Sequence, residues 1–392
     1  MTRSETRALS GVTVLEVRSI GPGPLAGMLL ADMGADVIRV DRPGAPQRGA
    51  SDRVAPTHRG KRSVAIDLKT DKGRDLLLKL TERADVLIEG FRPGVMERLG
   101  VGPDECLRRN PKLVYGRITG WGQDGPLASA AGHDINYVAL SGALDGMGSD
   151  PAGPPVPAVS YVGDFAGGTM FLLFGVLCAL RVADRTGVGQ VVDAAMVDGV
   201  AALSAPYHGL RADGKWHLGR GRNVIDGGAP YYHVYECSDG QFITNAAAEP
   251  EFYAQLRSAL DLTDPVWDRQ SDEDSWTVQS TRLADLFRMR TREQWCDLLE
   301  GTDACFAPGL SLEEAPHHPH NVARNTFTRV DDVVQPSPAP RLSRTPGAID
   351  ARPPLPGAHT REVLREQGFS DSRIDELMAE GAVVASRETA VK

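Results

Sequence analysis

The stretch VTVLEVRSIGPGPLAGMLLADMGADVIRV, residues 12–40, decides the fold class. Residues 12–17 form a short apolar run rich in β-branched side chains, which predicts a buried strand. The turn Gly21-Pro-Gly-Pro24 follows, and residues 25–33 then have the apolar spacing of a helix that ends at Gly34. Residues 36–40 are a second apolar run. A strand, a helix and a strand in this order predict two parallel strands joined by a crossover helix.

The same alternation continues downstream. Strand-like runs at residues 64–68, 86–89 and 113–117 are separated in part by helical stretches, such as residues 73–83. Strands that alternate with helices predict an α/β domain with a Rossmann-like, doubly wound parallel sheet. The run at residues 191–197 fits a strand and a helix equally well, because its periodicity does not distinguish them.

The character of the chain changes twice. From residue 231 to about 319, short aromatic-rich strands precede amphipathic helices, which predicts a second, smaller α+β domain. Residues 336–356 have the proline content of an extended connector, and residues 360–381 are again helical. We therefore predict a large domain at residues 1–225, a small domain at 226–330, and a connector with a helix that returns to the large domain at 331–392.

Composition disfavours several classes of protein. The chain has 43 basic and 52 acidic residues and a net charge of −9, which disfavours a nucleic-acid binder. The N-terminal residues lack the apolar stretch of a secretory signal. The apolar run at residues 165–180 is shorter than the roughly 18 residues of a membrane span, so we predict a buried core helix and no membrane. The five cysteines lack C-x-x-C spacing, which predicts reduced thiols in a cytoplasmic protein.

The Gly21 turn also suggests one function. With Asp41 at the end of the following strand, it is close to a dinucleotide-binding fingerprint. Two prolines in the turn remove N–H donors that a pyrophosphate needs. A nicotinamide-dependent oxidoreductase therefore stays as an alternative class, which a binding assay with NAD(P)H against coenzyme A would test.

Basic residues cluster near the predicted carboxyl ends of three strands. They are Arg39, Arg42, Arg59, Lys61, Arg62, Lys69, Arg92 and Arg98. Because the carboxyl ends of parallel strands meet at one edge of a sheet, these cations would suit a ligand with several phosphates. Unrelated surface charges explain the same residues equally well.

Three residues are candidates for acid–base chemistry. His133 is of the residue type that transfers protons near neutral pH, although pairing with the adjacent aspartate is the simpler interpretation. Asp164 stands at a predicted helix start, where it is either an N-cap or a carboxyl group whose pKa burial raises. Glu249, before a proline, is by itself only an acid at a helix start.

Metal and other catalytic motifs are weak. His317, His318 and His320 lie among prolines with no cysteine nearby, which disfavours a zinc site. The sequence has no G-x-S-x-G elbow and no Walker loop.

Four motifs occur in a fixed order along the chain. They are Gly132-His-Asp-Ile-Asn-Tyr137, Val162-Gly-Asp-Phe165, Gly189-Gln-Val-Val-Asp-Ala-Ala-Met196 and Asp226-Gly-Gly-Ala-Pro-Tyr-Tyr232. From about residue 9 to at least residue 344, the chain resembles the class III CoA-transferase superfamily (CaiB/BaiF type). Within it, the chain is most similar to the α-methylacyl-CoA racemases.

The resemblance implies roles for particular residues. His133 and Asp164 would be two bases on opposite faces of a substrate carbon, and Glu249 would hydrogen-bond the histidine. The implied contacts with the acyl-CoA substrate are Arg42, Ile66, Asp67, Leu68, Lys69, Gly90, Phe91, Arg92, Arg98, Gly132, Asp134, Ile135, Asn136 and Tyr137. It implies no metal, no cofactor other than the coenzyme A of the substrate, and an interlocked homodimer.

The implied reaction is inversion of the α-carbon of 2-methylacyl-CoA thioesters, a step of fatty-acid metabolism, by proton transfer through an enolate. We also expect the helix start at Asp164 to offer backbone N–H groups to the enolate oxygen. The alternative is a CoA-transferase that moves coenzyme A between carboxylic acids through an anhydride on Asp164. His133 favours the racemase, because the superfamily's transferases usually lack it. A third alternative is a catalytically silent CoA-binding protein. The presence of His133, Asp164 and Glu249 disfavours it, because binding of coenzyme A alone requires none of the three.

Overall fold

The computed structural model describes residues 7–44 and 54–386. The contacts between Cα atoms divide the chain into two compact units. Of the described residues, the first contains 7–44, 54–141, 159–203 and 325–386, and the second contains 142–158 and 204–324. Residues 142–158 and 204–225, predicted as part of the large domain, thus group with the second unit, and residues 325–330, predicted as part of the small domain, group with the first.

The strands and helices alternate through most of the first unit. In chain order the strands are β1 (Thr13–Val17), β2 (Asp36–Asp41), β3 (Arg62–Ile66), β4 (Val86–Glu89), β5 (Val114–Thr119), β6 (Val191–Ala195), β7 (Tyr232–Glu236), β8 (Phe242–Ala246), β9 (Phe306–Gly309), β10 (Phe327–Val330), β11 (Val333–Pro336) and β12 (Val383–Val384). The α-helices are α1 (Pro22–Asp32), α2 (Asp71–Thr81), α3 (Val95–Arg98), α4 (Pro103–Arg109), α5 (Asp134–Leu140), α6 (Phe171–Thr186), α7 (Met196–Leu203), α8 (Ala205–Ala212), α9 (Pro250–Ala259), α10 (Glu273–Phe287), α11 (Arg292–Leu299), α12 (Pro319–Ala323), α13 (Thr360–Glu366) and α14 (Asp371–Ala379). A π-helical segment, Tyr161–Met170, runs directly into α6.

The first unit is built on a seven-stranded sheet with the order β12-β3-β2-β1-β4-β5-β6. Its pairs are parallel except for β12, which pairs antiparallel with β3. The strand order reverses between β1 and β4. The prediction of an α/β fold with a mainly parallel, doubly wound sheet is therefore confirmed. The ambiguous run at residues 191–197 contains both elements, because β6 ends at Ala195 and α7 begins at Met196.

Both faces of this sheet are buried. Along β1, Leu15 and Val17 pack into one hydrophobic core, while Val14 packs into the core on the opposite face. Side chains of a strand alternate between the two faces, so a strand buried on both sides is apolar almost throughout. This explains why short continuous apolar runs marked the strands in the sequence.

The apolar helix after residue 160 is buried on one face only. With the π-helical segment it spans Tyr161–Thr186, and its most apolar 18-residue window has a mean hydropathy of 1.9. Leu172 and Val176 are fully buried in the core, whereas Phe174 is 70% exposed. The predicted core helix is therefore buried on its inner face and exposed on its outer face. The helix is long and apolar enough to cross a membrane, a test that core helices of soluble proteins also pass.

The second unit contains the antiparallel sheet β7-β8-β9, with α9, α10 and α11 in the same unit. Its core is rich in aromatic residues, including Tyr235, Trp276, Phe287 and Trp295. The indole N–H of Trp295 donates to the carbonyl oxygen of Phe287 at 2.8 Å, which satisfies the one polar group of a fully buried ring.

The C-terminal segment packs on the first unit. α13 and α14 place Val363, Leu364, Ile374 and Leu377 in the same core as Ile66 of β3, and β12 adds Val383. The sequence predicted one helix over residues 360–381. Two helices form instead, separated by a turn in which Gly368 has φ 87°.

Candidate active site

The reversal of strand order between β1 and β4 defines a crevice at the carboxyl edge of the sheet, which is where doubly wound folds bind ligands. The loop of residues 18–21 follows β1, and Gly90 follows β4. A Cβ atom placed on Gly90 would lie 3.2 Å from the Cβ of Ser19. The two loops that bound the crevice are therefore in close contact.

The carboxyl group of Asp164 lies against the first of these loops. Gly21 has φ 68° and ψ −117°, a backbone conformation that side-chain-bearing residues rarely adopt. A Cβ atom at this position would lie 2.9 Å from Oδ2 of Asp164. The hydroxyl of Thr169, one turn later, donates to the carbonyl oxygen of Pro22 at 2.9 Å. The π-helical segment is thus tied to the start of α1, and Asp164 lies beside the crevice.

Asp164 is not the N-cap that the sequence suggested. The π-helical segment begins at Tyr161 after Ser160, and Asp164 lies in its first turn. The backbone N–H of Asp164 donates to Oδ1 of Asp134 at 2.7 Å, and that of Phe165 donates to the carbonyl oxygen of Ser160 at 3.2 Å. Because both N–H groups already have acceptors, neither of these two is available to an enolate oxygen.

The pKa of the Asp164 carboxyl is raised to about 6. Burial is the largest cause, the negative charge of Asp134 adds to it, and the charge of His133 lowers the pKa. Burial favours the protonated form of the carboxyl group, because it penalises the charged form. A carboxyl group with this pKa exchanges protons readily near neutral pH.

His133 lies in the same site as Asp164. It is the N-cap residue of α5, with an extended backbone, and its N–H donates to Oδ1 of Asn136 at 3.0 Å. This bond fixes the start of the helix. The side chain of His133 is exposed, and it is close enough to Asp164 to change the pKa of that carboxyl group. The structure thus brings together two of the three predicted acid–base residues.

Aromatic packing supports the start of α5. The buried ring of Tyr137 packs edge-to-face on Trp121, with 4.8 Å between the ring centroids. A Cβ atom on Gly132 would lie 2.7 Å from the Tyr137 ring, so glycine is needed at this close approach. Burial and the charge of Asp164 raise the pKa of Tyr137, whereas the charge of Arg92 lowers it. Arg92, from the loop after β4, therefore also lies near Tyr137.

The residues implied as substrate contacts lie along the carboxyl edge of the sheet. Arg42 follows β2, residues 67–69 follow β3, and residues 90–92 follow β4. The loop after β4 is held by the buried Glu89, whose Oε2 accepts the N–H of Phe91 at 2.7 Å while Oε1 accepts from Arg117 at 2.8 Å. Ile66 is 1% exposed and packs inside the core. The side chains of Ile135 and Asn136 are exposed.

The predicted group of eight cations does not form one cluster. Four of them pair with carboxylates: Arg39 with Asp41, Arg59 with Asp32, Lys61 with Glu16, and Arg62 with Asp36. Three of these four basic side chains are almost fully buried. The other four, Arg42, Lys69, Arg92 and Arg98, are exposed.

The structure also argues against the dinucleotide interpretation of Asp41. Its carboxylate is 1% exposed and accepts hydrogen bonds from Arg18 at 2.9 Å, Arg39 at 2.8 Å and Ser63 at 2.5 Å. A carboxylate that is enclosed and satisfied in this way cannot also bind the hydroxyls of a ribose.

Glu249 belongs to the second unit. It precedes α9 as the N-cap residue, its side chain is exposed and makes no capping hydrogen bond, and its carbonyl oxygen accepts the N–H of Tyr253 at 2.9 Å. Burial raises the pKa of the Cys305 thiol, and the negative charge of Glu249 adds to this rise. Within its own unit, Glu249 is an accessible carboxylate beside a thiol.

The described residues, 7–44 and 54–386, contain no cluster of three or more His, Cys, Asp or Glu side chains able to hold a metal ion. Of the histidines around Pro319, His318 lies 2.8 Å from a carboxylate oxygen of Glu300.

Two contacts that shape the site are not predictable from the sequence. The sequence suggests Gly21 only as part of a dinucleotide turn, although this glycine makes room for Asp164. The resemblance implies Asp134 as a substrate contact, although its side chain accepts a hydrogen bond from the backbone of Asp164. The only local signal was the His-Asp-Ile-Asn spacing, which resembles a helix cap.

Comparison with known proteins places these features in a wider group. The sequence model of CoA-transferase family III matches residues 9–360. The α-methylacyl-CoA racemase of Mus musculus is 44% identical over 381 residues, covering 97% of this chain and 98% of that protein. The α-methylacyl-CoA racemase of Homo sapiens is 43% identical over 383 residues, with coverage of 97% and 98%. Among solved structures, a CaiB/BaiF family protein from Brucella suis superposes with a TM-score of 0.80 at 26% identity, over 92% of this chain and 100% of that one.

Proposed function

This chain belongs to CoA-transferase family III, and on that basis we propose that it is a racemase that inverts the α-carbon of 2-methylacyl-CoA thioesters. The observation that carries the proposal is the pair His133 and Asp164. A proton-transferring histidine lies beside a carboxyl group with a pKa of about 6, at the ligand-binding edge of the sheet.

The reaction needs two groups that exchange roles. A thioester acidifies the proton on its α-carbon, and removal of that proton leaves an enolate. One of His133 and Asp164 removes the proton, and the other delivers a proton to the opposite face, which inverts the centre. A pKa near 6 suits Asp164 to both roles, since both its protonated and its ionised form are accessible near neutral pH.

We assign the coenzyme A moiety to the carboxyl edge of the sheet. The exposed cations Arg42, Lys69, Arg92 and Arg98 are suited to its phosphates, because guanidinium and ammonium groups donate to phosphate oxygens. We propose that the loop Gly90–Phe91 and the segment of residues 132–137 contact the pantetheine arm of coenzyme A. As a third acid–base group we propose the exposed carboxylate of Glu249.

We further propose that the enzyme acts as a homodimer. The outer face of the helix Tyr161–Thr186 exposes Met170 by 53%, Phe174 by 70% and Leu177 by 46%. Contiguous apolar surface of this kind is typical of protein interfaces. This face continues directly from the segment that carries Asp164, so a second subunit bound there would lie next to the site.

The second candidate is transfer of coenzyme A between carboxylic acids. The carboxylate of Asp164 could attack a thioester and form an anhydride. A carboxyl group with a raised pKa, adjacent to a histidine, fits proton transfer better, and the relatives at 43–44% identity are racemases.

The test is exchange of the α-proton. A single enantiomer of a 2-methylacyl-CoA is incubated in deuterated water, and deuterium at the α-carbon and configuration are followed by mass spectrometry and chiral analysis. We expect deuterium uptake with inversion for the wild type, and loss of at least ~100-fold in rate for His133→Ala and Asp164→Asn. Transfer of coenzyme A to a free acid without deuterium uptake would establish the second candidate instead.

A further inference from the structure

We propose that Asp134 is a positioning residue that holds the backbone of Asp164 at a fixed place relative to His133. The inference rests on the proposed function, because it assigns a role inside the proposed site. It differs from the resemblance, which made Asp134 a contact of the acyl-CoA.

The geometry joins the two segments that carry the proposed bases. Asp134 is the first residue of α5, directly after His133, and it is 9% exposed. Its Oδ1 accepts the backbone N–H of Asp164 at 2.7 Å. The start of the π-helical segment therefore cannot move away from the start of α5 without breaking this bond.

The neighbouring glycine makes the contact possible. A Cβ atom on Gly163 would lie 2.4 Å from Oδ1 of Asp134, well inside any allowed separation. The π-helical segment approaches α5 this closely only because residue 163 has no side chain. The contact thus depends on two residues together: the acceptor Asp134 at the start of α5 and Gly163 at the start of the π-helical segment.

The negative charge of Asp134 has a second, separable effect. The titratable groups on the elements packed most closely against the π-helical segment are Asp32 on α1, Tyr115 and Arg117 in β5, His133, Asp134 and Tyr137 at α5, Cys178, Arg181, Asp184 and Arg185 on α6, Asp193 in β6, and Asp198 on α7. Among these, the charge of Asp134 raises the pKa of Asp164 and that of His133 lowers it. An asparagine at position 134 would keep an acceptor for the N–H but remove the charge, whereas an alanine would remove both.

Steady-state kinetics can distinguish a positioning role of Asp134 from a role in substrate binding. A group that binds substrate equally in the ground and transition states changes KM, whereas a group that places a catalytic residue changes kcat. We therefore expect substitution of Asp134 to change kcat and the pH profile rather than KM.

The experiment compares Asp134→Asn, Asp134→Ala and the control Asp198→Asn, which removes an exposed charge from a neighbouring helix. Deuterium exchange at the α-carbon is measured from pH 4.5 to 9. For Asp134→Ala we expect kcat to fall at least ~10-fold with KM within about twofold, because a displaced base loses its alignment. For Asp134→Asn we expect most of kcat to return, and the limb of the profile that belongs to Asp164 to move to lower pH. Asp198→Asn should match the wild type.

Two results would overturn the proposal. One is a rise in KM at unchanged kcat in either Asp134 variant, which would make Asp134 a substrate contact. The other is an equal loss of kcat in the asparagine and alanine variants, with no shift in the limb of the pH profile that belongs to Asp164. That result would show that a hydrogen-bond acceptor at position 134 does not restore the position of Asp164.

A second measurement needs no substrate. The titration of the Asp164 carboxyl is followed by carbon-13 NMR in the wild type and in Asp134→Asn, with Asp164→Asn used to assign the signal. A lower pKa of Asp164 in Asp134→Asn than in the wild type supports the contact. This holds even if the wild type does not exchange the α-proton of the substrate, because the absence of exchange would contradict only the proposed function. An unchanged pKa of Asp164 counts against the inference whatever reaction the enzyme catalyses. If Asp134→Ala does not fold, Asp134→Asn alone still provides this test.

Discussion

At the residue scale, the raised pKa that suits Asp164 to its proposed role in proton transfer also lowers the stability of the folded protein at high pH. A carboxyl group whose pKa rises from 3.8 to about 6 on folding favours the protonated form in the folded state. Its contribution to stability is therefore present below the unfolded pKa and is lost as the pH rises through about 6. Above that pH the folded protein carries a half-buried charge that it would be more stable without.

The variant Asp164→Asn should accordingly be inactive but more stable at high pH. We expect its free energy of unfolding at pH 8 to exceed that of the wild type by about 1–2 kcal/mol, since one pKa unit corresponds to 1.36 kcal/mol and partial solvent access reduces the effect. The difference should shrink as the pH falls from 6 towards 4. Urea unfolding at pH 4.5 and pH 8 measures it, and a difference that is the same at both values would contradict the raised pKa.

Gly21 provides a second test at this scale. In Gly21→Ala the new Cβ would lie 2.9 Å from Oδ2 of Asp164, so the carboxyl group has to move. We expect the rate of α-proton exchange to fall at least ~10-fold, since small misplacements of a base have large effects. Gly11→Ala is the matched control, because Gly11 also has a positive φ of 88° but no atom within 4 Å of the added Cβ. Equal activity in the two variants would show that the contact with Asp164 does not matter.

At the scale of elements, buried ion pairs join segments that are distant in the chain. Arg59 is 1% exposed and bonds both carboxylate oxygens of Asp32 at the end of α1, at 3.1 and 2.6 Å. The same guanidinium donates to the side chain of Gln335 and to the carbonyl oxygen of Pro336 on β11. One side chain thus links α1 to the hairpin β10–β11.

Removal of this link should be costly. In Arg59→Ala the carboxylate of Asp32, whose pKa burial already raises, would lose its ionic partner. We expect a loss of about 3–5 kcal/mol in the free energy of unfolding. The exposed pair of Arg373 and Glu376 is the comparison, and Arg373→Ala should cost less than about 1 kcal/mol. Similar losses in the two variants, measured by chemical denaturation, would argue against the buried network.

Elements were predictable from the sequence to different degrees. β1, β2 and β4 were recognisable because burial on both faces makes short apolar runs. The partners of Arg59 and Lys61 were not, because Asp32 and Glu16 meet them only after α1 and β3 have packed. For the same reason local sequence could indicate His133 and Asp164 as candidates, but not the bond between Asp134 and the backbone of Asp164.

The outer face of α6 was unpredictable for a different reason. An apolar pattern shows that a surface avoids water, but it does not distinguish packing inside one chain from packing between chains. Phe174 and Leu172 are both large and apolar, and only the structure shows that the first is 70% exposed and the second fully buried.

At the scale of the whole molecule, this face leads to a prediction about assembly. We expect light scattering after gel filtration to give the mass of a dimer for the wild type, and a monomer for Phe174→Asp, since a charge in an apolar interface is strongly unfavourable. Val334→Asp, at a residue of β11 that is 43% exposed, is the control and should stay dimeric. A wild type that is monomeric at micromolar concentration would contradict the proposed homodimer.

The antiparallel pairing of β12 with β3 affects how the protein is made. Val383 and Val384 pair with Ile66 and Ala65, so the edge of the sheet at β3 is completed by residues that leave the ribosome only after the entire second unit. Until then the nascent chain carries an open β-edge, to which strands of other nascent chains can bind. Translation that stops before residue 383 therefore releases a sheet prone to aggregation, however complete its proposed catalytic residues are.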